Sequence, residues 1–181
     1  MQSSIPLSHK KDIKGNIRFA LITVSTSRFN KYGHVKSPHE AEDLSGDMMV
    51  NLVRDNGHEV VSYSLVPDDA AFIRDIISRM IDEDVNVIVT SGGTGLSPDD
   101  VTIEAISPMF HKEMQGFGEY FRYLSIGQIG SSVVLTRACA GIVNNKVIFC
   151  LPGSPNAVNL AFSEVILPEA GHILKHLGRT V

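Results

Sequence analysis

Cysteine is scarce: the 181 residues carry two, Cys139 and Cys150, too few for a disulfide framework and without the spacing of a metal-binding set. Cys150 lies inside the apolar run VIFCL (147–151), which suits a buried, reduced thiol. Positive charge is also short. Sixteen Lys and Arg face twenty Asp and Glu, leaving a net charge of −4 and a pI near 5.9. That is the wrong sign for a nucleic-acid surface. No apolar run reaches the roughly 18 residues of a membrane span. The opening MQSSIPLSHKKD lacks the apolar centre of a signal peptide and reads as a flexible tail over 1–15. The expectation is a cytoplasmic protein with neither nucleic acid nor membrane as partner. What remains, 43% hydrophobic and 20% charged, is ordinary globular composition, and residues 16–181 make one domain's worth of chain.

IRFALITV (17–24) is a β-rich apolar run suited to a strand buried on both faces. Residues 25–42 are polar and contain Gly33, His34, Pro38 and His39, which predicts a long, mobile loop. A helix follows over 47–57 with Gly57 as its stop. Next come a strand over 58–66, a helix over 69–82 and the strand VNVIVT (85–90). Strands alternating with helices predict an α/β domain whose parallel sheet is covered on both faces. Beyond it the pattern predicts helical pieces over 102–110 and 117–125, and strands over 131–137 and 146–151. The turn chemistry of NNK (144–146) can join those strands as a hairpin. Residues 156–177 are helical in pattern, bent or divided at Pro168.

The chemistry concentrates in SGGTGLSPDD (91–100), directly after an apolar strand, where open α/β sheets bind ligands. Gly92, Gly93 and Gly95 let backbone N–H groups approach an anion, and Ser91 and Thr94 add hydroxyl donors. The stretch has no Lys or Arg, so it is not a P-loop, and Pro98 stands where a dinucleotide fingerprint needs glycine. A plain strand-to-helix turn is the alternative reading. Pro-Asp-Asp occurs twice, at 67–69 and 98–100, each time between a strand and a helix. One Asp of each pair is expected to cap its helix. That frees the other, and two free carboxylates at one sheet edge suit Mg²⁺ with a substrate phosphate. LPGSP (151–155) repeats the design with Gly153 and Ser154, and GFGE (116–119) sets Glu119 beside a Gly-flanked Phe. The seven histidines form no metal set; His172 and His176, an i, i+4 pair, read as surface residues. No G-x-S-x-G elbow is present.

These pieces, in this order, resemble the MoaB/MogA family of molybdopterin adenylyltransferases, from about Ile17 to His176. The resemblance rests on DLSG from Asp43, VPDD from Val66, SGGTGLSPDDVT from Ser91, GFGE from Gly116, LTRA from Leu135 and LPGSP from Leu151. The later motifs and the chain length look more like MoaB. The resemblance implies a three-layer α/β/α molybdopterin-binding fold with a mostly parallel central sheet, assembled as homo-trimers or hexamers. It implies ATP as co-substrate and Mg²⁺ as cofactor in adenylylation of molybdopterin, with pyrophosphate released and the product handed to a metal-insertion protein. Carried over position by position, Asp68 and Asp100 are the catalytic, metal-positioning carboxylates. Ser91, Gly92, Gly93, Thr94 and Gly95 then hold phosphate, and Glu119, Gly153 and Ser154 help bind pterin or nucleotide.

The chain departs from the family pattern in three places. Asp99 stands where many relatives have Arg or Lys, Gln115 replaces a Pro before GFGE, and Thr136 replaces a Ser before Arg137. Two other readings use the same motifs. One is a non-catalytic pterin-binding scaffold oligomer, favoured by Asp99. The other is a nucleotide pyrophosphatase resembling the competence-damage family, favoured by the Asp99–Asp100 pair and disfavoured by LPGSP.

Overall fold

The computed structural model describes residues 15–179, so the tail expected over 1–15 lies, Gly15 apart, outside the described residues. The chain runs β1 (Arg18–Val24), α1 (Thr26–Tyr32), α2 (Leu44–Asp55), β2 (Glu59–Val66), α3 (Ala70–Asp82), β3 (Val87–Ser91) and α4 (Thr102–Ile106). Then follow β4 (Lys112–Glu113), α5 (Gln115–Ile129), β5 (Cys139–Val143), β6 (Lys146–Leu151), α6 (Pro155–Ala161) and α7 (Leu167–His176). The strands form one sheet in the order β2-β1-β3-β6-β5-β4. β2, β1, β3 and β6 run parallel, and β5 is antiparallel to β6 and β4.

The strands alternate, and that alternation builds two cores. Phe19 and Leu21 of β1, with Val147 and Phe149 of β6, point to one face, where α2, α5, α6 and α7 cover them. Ala20, Ile22, Ile148 and Cys150 point to the other, against Ile73, Ile77 and Met80 of α3 and Ala105 and Ile106 of α4. Helices on both faces of a mostly parallel sheet make three layers, as expected. Cys139 and Cys150 are both free, buried thiols, directly opposite each other across β5 and β6.

Three expectations change. Residues 25–42 are not a mobile loop. Ser25 Oγ accepts from Arg28 N–H to start α1, whose Phe29 and Tyr32 pack against the core. A 3₁₀ turn (Pro38–Ala41) follows, and Lys31 and Tyr32 both donate to Glu42, tying α1 to the start of α2. Seven residues with two apolar contacts are too short for periodicity to reveal a helix. Nor do residues 131–137 form a strand: Gly130, at φ 56°, ends α5 and a 3₁₀ turn (Gly130–Leu135) follows. Val134 and Leu135 are exposed, so the run has no sheet face to fill, and the strand starts at Cys139 instead. The hairpin itself forms, through Asn144 and Asn145 at φ 46° and 61°, the left-handed pair a two-residue turn needs. Pro168 does divide the last helix: a π-helical turn (Phe162–Ile166) separates α6 from α7, with Pro168 in the first turn of α7. The third change concerns helix capping and bears on the site.

Candidate active site

β1, β2 and β3 lie side by side, so the loops after them leave the sheet at one edge. Together they form a cleft of about 500 Å³ lined by Val24, Ser25, Thr26, Ser27, Asp68, Gly93, Asp99 and Asp100. The structure thus brings the two expected carboxylates, Asp68 and Asp100, to one cavity from separate loops.

Each pair of aspartates is handled differently. Asp69 Oδ1 accepts from the N–H groups of Ala71 and Phe72 (2.8 and 3.0 Å), capping α3 as expected. Asp68 is free for the cleft. Its Oδ2 accepts from Thr26 N–H and Thr26 Oγ1 (3.0 and 3.1 Å), while Asp68 N–H donates back to Thr26 Oγ1 (2.9 Å). In the second pair neither Asp caps a helix, which corrects the expectation. The Thr102 N–H at the start of α4 is bonded instead to Gly93 O (2.8 Å). Asp100 closes a turn instead, its N–H donating to Ser97 O (3.0 Å) and its Oδ2 accepting from Ser97 N–H (3.3 Å).

The glycines make room for these carboxylates. Gly93 sits at φ 62°, and a Cβ there would lie 2.4 Å from both Asp68 Oδ1 and Thr102 Oγ1. A Cβ on Gly95 would lie 2.7 Å from Asp100 Oδ2. Gly92 and Ser91 stand behind the cleft, joined to the LPGSP loop: Gly92 N–H donates to Leu151 O, and Ser91 Oγ to Pro152 O. Thr94 is buried. Gly153 packs against Gly92 and accepts from Ser45 of the DLSG motif at 2.8 Å, while Ser154 Oγ caps α6. Glu119 is not in this cleft. It lines a smaller one, about 270 Å³, with Gly118, Arg122 and Cys139. Gly118 is held against the Ala138 carbonyl, where a Cβ would come within 2.7 Å.

Several residues escaped the sequence reading. Ser25, Thr26 and Ser27 give the cleft a hydroxyl-bearing wall; the signal was a Ser-Thr-Ser run at the end of an apolar strand. Thr102 Oγ1 holds Gly92 O at 2.9 Å. Arg137, from the LTRA motif, donates to Gly95 O at 3.0 Å and pairs with Glu104. The cation missing from SGGTGLSPDD therefore arrives from 42 positions away and grips the loop through its backbone. The Arg137 guanidinium holds the Glu104 carboxyl below its ordinary range. At the start of α2, Asp43 is buried and accepts from Thr23 Oγ1 (2.6 Å) and Tyr63 Oη (2.8 Å). Burial first, then the neighbouring Asp43 charge, pushes the Tyr63 hydroxyl well above its ordinary value, so it stays a donor.

A family model described as "Probable molybdopterin binding domain" matches residues 20–172. The chain belongs to this family. Within the molybdopterin-binding domain family it is 43% identical over 173 residues to molybdenum cofactor biosynthesis protein B of Bacillus anthracis, spanning 94% of this chain and 96% of that protein. A crystal structure of a molybdenum cofactor biosynthesis protein B superposes with a TM-score of 0.81 at 40% identity, covering 91% of this chain and 98% of the other. The tungsten cofactor synthesizing protein MoaB of Pyrococcus furiosus superposes with a TM-score of 0.79 at 39% identity, with the same coverage. The resemblance carried by the six motifs and its MoaB branch are borne out, as is the three-layer fold. Among the described residues no helix is long and apolar enough to cross a membrane.

Proposed function

We propose that this molybdopterin-binding domain protein acts in molybdenum or tungsten cofactor biosynthesis, as the names of its relatives say of them, and that it adenylylates molybdopterin. In this reaction an oxygen of molybdopterin's terminal phosphate attacks the α-phosphorus of ATP. The bond from that phosphorus to the β-bridging oxygen breaks, and pyrophosphate leaves with the electron pair. The observation that carries the reading is the convergence of Asp68 and Asp100 on one cleft floored by Gly93.

The donor set fits Mg²⁺. The cleft offers carboxylate, hydroxyl and backbone oxygens and no thiol or imidazole. Among the described residues no group of three metal-ligating side chains forms, so two carboxylates would hold the ion and leave other positions to water and phosphate. When bound, Mg²⁺ supplies the positive charge that lets one phosphate approach another. The chain itself supplies orientation. Thr26 fixes the Asp68 carboxylate through two donors. Arg137 and Thr102 hold the Gly95 and Gly92 carbonyls, so the backbone between them is set before ATP arrives. No strong base is needed, because the attacking phosphate oxygen is already anionic near neutral pH. Asp68, Asp99 and Asp100 together repel a bare polyphosphate, which favours the metal-bound form.

Self-association belongs to the same proposal. Tyr120, Tyr123, Ile126 and Ile129 on α5, with Val134 and Leu135 after it, are large exposed hydrophobic side chains, and Tyr120 stacks on Tyr123. Burying them against further copies gives the homo-trimer or hexamer, and the smaller Glu119 cleft lies on the same helix. Incubation with molybdopterin, ATP and Mg²⁺ tests the activity. Adenylylated product and stoichiometric pyrophosphate are expected. Tight pterin binding without product favours the scaffold, and AMP release from ADP-ribose alone favours the pyrophosphatase.

A further inference from the structure

α7 ends in a pair of imidazoles that the cleft chemistry does not use. His172 and His176 stand one turn apart on its exposed side, with their Nε2 atoms 3.0 Å apart. The Nδ1 of His172 meets Glu169 Oε2 at 3.3 Å, one turn earlier. We propose that His172 and His176 form a chelating site for a borderline divalent transition-metal ion such as Zn²⁺ or Ni²⁺, with Glu169 as the carboxylate that orients the first imidazole.

Bonds from zinc to imidazole nitrogen are about 2.0–2.1 Å, so two Nε2 atoms 3.0 Å apart reach one ion at roughly a right angle. That angle suits nickel's tetragonal geometry and is tight for tetrahedral zinc. Glu169 accepts the Nδ1 proton of His172, which leaves its Nε2 lone pair bare and facing His176. This is the carboxylate–histidine–metal relay seen wherever an outer carboxylate sets a ligand's tautomer. Without metal, His176 donates its Nε2 proton to that lone pair. On binding, His176 takes the tautomer with its proton on Nδ1, so both Nε2 atoms coordinate and no net proton is released. The site lies in the last turns of α7, where the negative end of the helix dipole favours a cation. With no third metal-ligating side chain in reach among the described residues, water fills the remaining positions.

The test is titration of the untagged full chain with ZnCl₂, NiCl₂ or MgCl₂, by calorimetry and thermal melting. One Zn²⁺ or Ni²⁺ per chain and a melting temperature that climbs with metal concentration are expected, because the chelate exists only in the folded helix. Mg²⁺ gives no such binding at this pair, since imidazole is a poor ligand for it. His172→Ala and His176→Ala should each weaken binding at least tenfold, and Glu169→Gln about tenfold. Circular dichroism of the metal-free variants separates lost binding from lost folding. Equal Ni²⁺ and Zn²⁺ affinity in the wild type and a folded His176→Ala variant, or no metal-dependent rise in melting temperature, overturns the proposal.

Discussion

The two Pro-Asp-Asp loops share a tripeptide and a place at the sheet edge, yet they spend their carboxylates differently. After β2, Asp69 caps α3 and Asp68 faces the cleft. After β3, both Asp99 and Asp100 line the cleft, because a backbone carbonyl, Gly93 O, has already met the first amide of α4. With its first helix amide met by the backbone, the second loop keeps its acidic residues for the cleft. The first loop is therefore half structural and half functional, whereas the second turns both of its carboxylates to the cleft.

The largest loss of activity should follow from removing the charge of the two cleft carboxylates in turn. Asp68→Asn and Asp100→Asn should each lower adenylylation about 10²–10³-fold, as loss of a preorganised electrostatic group does elsewhere. Melting temperatures should stay near wild type, because neither carboxylate caps a helix. Product formation at saturating ATP and Mg²⁺, beside thermal melts, checks both halves. Full turnover in either variant removes that residue from the proposed chemistry.

The second loop should also fail when its outside support is withdrawn. Arg137 spans Gly95 O and Glu104 with one planar guanidinium, a geometry lysine cannot copy. Arg137→Lys should lower kcat about tenfold with little change in the KM for ATP, because loop position rather than ground-state binding is lost. A change confined to KM would mean that Arg137 binds nucleotide instead of setting the loop. The first loop, held by Thr26 beside it, should not respond.

How far the sequence reveals these arrangements depends on where each residue's partner lies. The buried strands were legible because both faces are covered, so IRFALITV and VIFCL are apolar throughout. The cap at Asp69 was legible because its partners are the next residues along the chain. The turn Asp100 closes is local, with Ser97, but its freedom from capping was not legible, since it depends on Gly93 O having taken the first amide of α4. Arg137 was named only as part of a motif, and nothing near it in sequence points to Gly95. Residues 131–137 misled because β-favouring side chains describe a half-buried surface, and Val134 and Leu135 have none. α1 was hidden because its helix signal spans two turns.

Asp69→Ala sharpens the contrast from the structural side. It removes the acceptor for two free amides of α3 and should cost about 1 kcal/mol of stability. The rate at saturating substrate should hold, because Asp68 keeps its own bonds to Thr26. Denaturant melts and initial rates measured on the same preparations make the check. An equal stability loss in Asp99→Ala would show that the second loop needs its first aspartate as a cap after all.

Asp99 carries the smallest expected effect and bears most directly on the charge of the cleft. It lines the cavity beside Asp68 and Asp100 but caps no helix, and its N–H donates to Ser97 Oγ at 3.4 Å. Its charge therefore acts through solvent, where a unit charge some 8 Å from a phosphate is worth about 0.5 kcal/mol. Asp99→Asn should lower the KM for Mg-ATP about twofold at low salt. Asp99→Arg, which places a cation there, should lower it about fivefold, and both gains should shrink as ionic strength rises. The stability of each variant should match the wild type. A KM that does not move between Asn and Arg would mean that Asp99 faces solvent rather than the polyphosphate, and that Asp68 and Asp100 set the charge of the cleft without it.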